Sequence, residues 1–488
     1  MKVLPRVFPT ALGVIFLLSG LAAAQDRADF PPPRTAAAWQ ERGFEPPAAG
    51  QAPSDPQEGE YIESLEARLR AVEEQLAEKD AAPSTPSFLS TPKVSLNGVF
   101  QVDGVAVSQS QSSRDVYGLI ENGADFRRAR LGAKAEVADN MNAFMQMDFA
   151  FFGRPTFTDL WVDFTHVPML GNVRVGQWKQ PFSLEVVSSF RYTTMMERAS
   201  TFQAFTPFRH VGIGFYDHSE DLNSTWALSY FRTGQDQFGG SLSTNGGNGL
   251  AGRLTHLLWY DEESCGSHYL HLGGGYYLNS PARDSVRFRS IPELFVGEFS
   301  PDPSSAGTTG QALPGIFNGT PFLVDTGTIL DVEHVHTFGS ELLWVAGPFS
   351  LQAEGMAAVV DQTVAPNATL YGGYITLGWF LTGEHRPYSR TAGAIDRVTP
   401  FENFGRHGGW GAWELTTRLS YLDLTDGTIN GGEMENLTTG LNWYVNPYCK
   451  CVFNHVVSWT QAGAQPNPPR SGQSSQTHLF GVRCQIDF

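Results

Sequence analysis

Beyond its first two dozen residues the chain has no apolar run of the roughly 20 residues that a membrane-spanning helix needs, which excludes a helical membrane protein. Catalytic signatures are missing as well. No G-x-S-x-G elbow, no H-E-x-x-H and no Walker-type phosphate loop occurs, so neither an enzyme nor a cofactor is expected. Glu333-His334-Val335-His336 places two imidazoles on one strand face, but no third ligand accompanies them, and a surface or lumen pair is expected rather than a metal site. Positive charge is scarce: 33 Lys and Arg face 50 Asp and Glu, for a net charge of −17, which is not the footprint of a nucleic-acid binder. Lysine is scarcest in the body of the chain, where Lys93, Lys134, Lys179 and Lys450 are the whole set from residue 93 onward. Cysteine is limited to Cys265, Cys449, Cys451 and Cys484.

What is present begins with Lys2 and Arg6, an apolar run from Ala11 to Leu21, and Ala22-Ala23-Ala24. That is the pattern of a secretory signal peptide over residues 1–24, and it predicts export. Residues 25–59, with Pro31-Pro32-Pro33 and Pro46-Pro47, read as a disordered spacer. Over residues 60–80 the period changes. Ile62, Leu65, Leu69, Val72 and Leu76 follow 3-4-3-4 spacing and predict a short coiled-coil helix, with a lone surface helix as the alternative. The partner of such a seam is most simply a second copy, and a periplasmic helix could also touch the cell wall. Pro83, Pro86 and Pro92 make residues 81–92 a hinge.

From residue 93 to 488 the dominant signal is alternation with a period of two. Asp125–Val137 carries Leu131, Ala133, Ala135 and Val137 on one face and Arg128, Arg130, Lys134 and Glu136 on the other. Trp413, Leu415, Leu419 and Tyr421 similarly oppose Glu414 and Arg418, and Phe480, Val482, Cys484 and Ile486 oppose Arg483 and Asp487. About sixteen such stretches recur, which is the signature of an all-β transmembrane antiparallel barrel with lipid outside and a wet lumen. Trp and Tyr near strand ends, as at Trp259-Tyr260 and Trp443-Tyr444, suit interfacial girdles. Tight connections such as Asn446-Pro447 alternate with long ones over residues 298–328 and 384–409, expected as outer loops. Phe488 supplies the terminal aromatic typical of such barrels. The competing fold is a secreted β-sandwich or lectin. Residues 93–209 hold 12 basic and 11 acidic groups, against 13 and 26 in residues 210–488, so positive charge is concentrated early in the barrel region.

Several stretches resemble the phosphate-selective porin O and P family: D-F-R-R-A-R-L-G at Asp125–Gly132, V-R-V-G-Q-W-K-Q-P-F-S-L-E at Val173–Glu185, M-E-R at Met196–Arg198 and R-H-V-G-I-G-F at Arg209–Phe215. W-E-L-T-T-R-L-S-Y-L-D-L at Trp413–Leu424 and G-L-N-W-Y-V-N-P at Gly440–Pro447 continue the set in order. The resemblance implies a sixteen-stranded barrel in the outer membrane of a Gram-negative-type bacterium, a homotrimer, and passive passage of anions. It also implies pore roles for Arg128, Arg130, Lys179, Arg198 and Arg209. The scarcity of lysine departs from the family pattern, so the substrate is held at small anions, with phosphate one of them.

Read from the residues themselves, the segment between Trp178 and Phe208 is the best candidate for a loop folded into the lumen, and it adds Arg191. Lys134 joins the set from the polar face of the opening strand. The competing role for these cations is structural, as salt bridges to wall acids such as Asp148, Asp159 and Asp163. An exported chain with an even number of cysteines permits disulfides, here between Cys484 and either Cys449 or Cys451. The expected function is therefore an anion porin. A general or sugar-permeable porin, a tether between outer membrane and cell wall, and an outer-membrane hydrolase are the alternatives.

Overall fold

The computed structural model describes residues 92–150, 155–234, 244, 246–294, 296, 320–405, 408–466, 469–470 and 472–488. These belong to the second of two units, Thr85–Phe488. The expected signal peptide, spacer and coiled coil lie outside the described residues.

Sixteen antiparallel strands close into one barrel. They are β1 (Lys93–Gln109), β2 (Gly123–Ala138), β3 (Met141–Asp148), β4 (Thr156–Val167), β5 (Gly171–Lys179), β6 (Arg209–His218), β7 (Ser224–Arg232) and β8 (Asn248–Tyr260). The second half comprises β9 (His268–Ser280), β10 (Val332–Ala346), β11 (Phe349–Gln362), β12 (Ala368–Phe380), β13 (Ala412–Asp426), β14 (Ile429–Asn446), β15 (Cys449–Ala462) and β16 (Ser474–Asp487). Each strand pairs with its sequence neighbours, and β16 pairs with β1 from Val99↔Asp487 to Gln109↔Thr477. Full closure leaves no unpaired edge, the condition for placing strands in hydrocarbon. Phe488 completes it: its main chain exchanges two hydrogen bonds with Gly98, and its ring lies over that glycine, where a Cβ would come within 2.3 Å of ring carbon.

Alternation sorts the two faces as the sequence predicts. Outward positions expose Leu131, Leu160, Val175, Leu254, Phe338, Leu377, Leu419, Phe453 and Phe480, an apolar belt suited to lipid. Inward positions bury Arg128, Arg130, Glu341, Glu354, Arg418, Asn442 and Arg483. One irregularity matters for function. The β1–β2 register shifts between Gln101 and Val102, so Arg127 as well as Arg128 reaches the lumen, where both meet Glu197.

The connections differ between the two ends. At the end bearing Lys93 and Phe488 the links are short, for example Gly347-Pro348 and Pro447-Tyr448, with one exception. Residues 381–411, which join β12 to β13, lie at this end rather than among the outer loops. The side of a link follows from the number of strands separating it from Phe488, not from its length. Part of this segment enters the barrel, where Arg253 donates to the Gly393 carbonyl at 2.8 Å and Tyr269 to that of Arg386 at 2.9 Å.

Candidate pore site

The segment between β5 and β6, residues 180–208, contains two short helices, α1 (Leu184–Val187) and α2 (Ser200–Phe205). It leaves one side of the barrel and touches the opposite wall: Leu184 N and Glu185 N donate to Glu354 on β11 at 3.0 and 2.9 Å, Met196 N donates to Asn454 on β15 at 2.8 Å, and Asn442 on β14 donates to the Thr194 carbonyl at 2.8 Å. It therefore crosses the lumen. Wall glycines make room for it. Phe182 is fully buried against Gly275 and Gly339, where a Cβ at either position would meet its ring at 2.9 Å.

Four of the sequence-selected cations are answered by carboxylates. Arg130 Nε donates to Asp148 at 2.7 Å, and Arg209 Nη2 to Asp159 at 2.9 Å. Arg191 lies 3.6 Å from Asp487, and Arg128 lies 3.7 Å from Glu197 while donating to Gln101 at 2.6 Å. Asp163 is taken by Arg174 at 2.6 Å. Arg128, Arg130 and Arg191 also converge on Phe190, their guanidinium carbons 4.5, 4.7 and 5.5 Å from the ring centre.

Lys179 and Arg198 are answered differently. Lys179 Nζ donates to the carbonyls of Val186, Val187 and Ser188 at 2.5, 3.1 and 2.9 Å, and so satisfies the last turn of α1. Arg198 donates to the carbonyls of Glu185 and Ser188 at 2.7 and 3.2 Å. Lys450, not selected from sequence, donates to the Thr193 carbonyl at 2.9 Å. Among the described residues none of these three makes an ion pair. Burial lowers Arg198 to about 10, which leaves it charged at neutral pH. Lys134 is exposed on the lumen face, apart from this cluster.

The acids concentrate at Glu197. Its carboxylate accepts from Arg127 at 2.9 Å and Arg483 at 2.5 Å. Burial pushes its pKa up, but Arg127, Arg483 and Arg128 outweigh that and hold it well below the usual carboxylate range. Arg418 binds Glu293 at 2.6 Å and Glu185 at 3.3 Å, and Arg386 pairs with Glu414. Arg397 and Arg191 share Asp487. Arg127, Arg174, Arg253, Arg386, Arg397, Arg418, Arg483 and Lys450 thus join the lumen set. For Arg418 and Arg483 the polar-face pattern of their strands was the available signal.

A cavity of about 470 Å³ remains inside the wall beside this cluster, lined by Asp159, Arg174, Lys179, Tyr216, Arg253 and Thr391 among others. Three cations, Arg174, Lys179 and Arg253, and two carboxylates, Asp159 and Asp217, line it, and Arg174 and Arg253 are salt-bridged to Asp163 and Glu341. The cysteines lie elsewhere. Cys451 and Cys484 face each other on the outer surface of β15 and β16, their Sγ atoms 3.4 Å apart, and Cys449 stands opposite Ile486.

The family model for phosphate-selective porin O and P matches residues 100–488. An uncharacterized protein of Caulobacter vibrioides is 26% identical over 384 residues, covering 76% of this chain and 70% of that protein. Porin O of Pseudomonas aeruginosa is 26% identical over 332 residues, covering 63% and 69%. Among solved structures, the outer membrane channel DcaP of Acinetobacter baumannii superposes with a TM-score of 0.47 at 10% identity, covering 83% of this chain and all of that one.

Proposed function

This chain belongs to the phosphate-selective porin O and P family and is an outer-membrane porin; from that premise we propose that it passes small anions, phosphate among them, by passive diffusion along the cationic path beside residues 180–208. One observation carries the choice of anions: Lys179, Arg198 and Lys450 hydrogen-bond main-chain carbonyls of the crossing segment, and among the described residues none of the three is in a salt bridge. Carbonyl dipoles fix the position of a cation without cancelling its charge, which supports a path richer in positive charge than the chain as a whole. Among the described residues Arg128 Nε and Arg130 Nη1 are buried donors with no hydrogen-bond partner, and both guanidinium groups stack on the Phe190 ring and keep their charge.

Reconstituted single channels in a salt gradient test this. The expected reversal potential has the sign of anion preference, and Lys179→Met together with Lys450→Met moves it toward zero. Zero selectivity in the parent protein would turn the reading to a general or sugar-permeable porin, and cation preference would end it. Negligible conductance, with loss of wall attachment on deleting residues 60–80, would favour the tether. A homotrimer is part of the same reading. It is supported by family membership and by the small outward residues Ala129, Ala133 and Ala135 on β2, which let two walls approach closely.

A further inference from the structure

We propose that Cys451 and Cys484 form a disulfide that fastens the closing strand β16 to β15 on the outer face of the barrel. The two residues are direct partners in the β15–β16 register, and their Sγ atoms are 3.4 Å apart as free thiols. Directly opposed residues of antiparallel strands have Cα atoms about 4.5–5.5 Å apart, inside the span that a disulfide bridges. Closing the remaining gap needs rotation about the side-chain bonds and no change of register. Both residues point outward, away from the packed lumen, so no buried neighbour opposes that rotation.

The register also chooses between the two candidates that spacing alone leaves open. Cys449 stands opposite Ile486, one outward position away, and is left as a thiol together with Cys265. The bond lies near the end of the barrel that carries Lys93 and Phe488, between the last two strands of the ring.

The chemistry is thiol–disulfide exchange with a protein disulfide as oxidant. One cysteine thiolate attacks a sulfur of that oxidant, forming a mixed disulfide and expelling the oxidant's second sulfur as a thiolate. The other cysteine, as its thiolate, then attacks its partner's sulfur in the mixed disulfide and expels the oxidant's first thiolate. The chain loses two protons and two electrons, and the oxidant leaves as a dithiol.

The test uses full-length protein extracted from outer membranes with its thiols alkylated before denaturation. Trypsin cuts after Lys450 and after Arg483, so Cys449 leaves in peptide 419–450, Cys451 in 451–470 and Cys484 in 484–488. The expected result is a linked pair of 451–470 with 484–488, and alkylated Cys449 and Cys265. Linkage should persist in Cys449→Ser. Four alkylated cysteines, a link through 419–450, or a link between two chains would each overturn the proposal. As a second reading, reductant should lower the unfolding temperature of the parent protein and leave that of the Cys451→Ser, Cys484→Ser double variant unchanged. An equal downward shift in both would also overturn it.

Discussion

Glu197 is a single carboxylate serving three arginines from two neighbouring parts of the wall and holding the crossing segment among them. Replacing it with Gln removes the charge while keeping nearly the same shape, and leaves Arg127, Arg128 and Arg483 facing one another. Breaking one side of a buried ionic cluster costs about 3–5 kcal/mol. Glu197→Gln should therefore lower the unfolding temperature in detergent while moving the reversal potential further toward anions. The sign of the pH dependence follows from the depressed pKa. The stability that Glu197 contributes is complete above the unfolded carboxylate pKa of about 4.3. It is lost only as pH falls through the much lower folded value. The contribution of Glu197 to stability and to conductance should consequently be unchanged between about pH 7 and pH 5, a window above both values. A titration of conductance in that window would point to another group.

Among elements, the crossing segment depends on the absence of side chains in the wall behind it. Gly339→Val places carbon atoms where the Phe182 ring lies, a form of overpacking that costs about 1–3 kcal/mol. Because β10 is held by fourteen paired positions with β11, the loop should give way before the wall. The expected outcome is a stably folded barrel with altered single-channel conductance, and Phe182→Ala should change conductance in the variant and in the parent alike.

The strands and the inward loop were legible because period-two alternation survives wherever one face meets lipid and the other water, as in Asp125–Val137. The partners of the arginines were not legible. Arg130 meets Asp148 because of the β2–β3 register, and Arg127 turns inward because of a bulge; neither leaves a mark in composition. The carbonyl partners of Lys179, Arg198 and Lys450 were equally hidden, since a carbonyl partner has no side-chain signature. The side of residues 381–411 was readable in principle by counting strands back from Phe488, but length was the misleading cue.

For the whole molecule, the proposed anion selectivity combined with an acidic chain gives long-range steering and local selection opposite signs. The rate of anion entry per unit concentration should therefore rise with ionic strength while anion preference changes little, since salt screens the outer acids over about 10 Å at 0.1 M and the buried cluster far less. Conductance of chloride at low and high salt, compared with the reversal potential, measures both. The trimer reading belongs at this scale too: Ala133→Phe on the outward face of β2 should shift detergent-solubilised protein from trimer toward monomer without unfolding it. A monomeric parent would end that reading.

Asp487 is salt-bridged to Arg397 and to Arg191, and the next residue joins Gly98. The contacts to Gly98 and Arg191 close long loops, whereas that to Arg397 is local to the last quarter of the chain. Both internal segments are fastened at the residue where the β1–β16 pairing ends. Ring closure and the docking of both internal segments therefore meet at one corner, where Asp487 turns into the lumen and the Phe488 ring covers the outer seam.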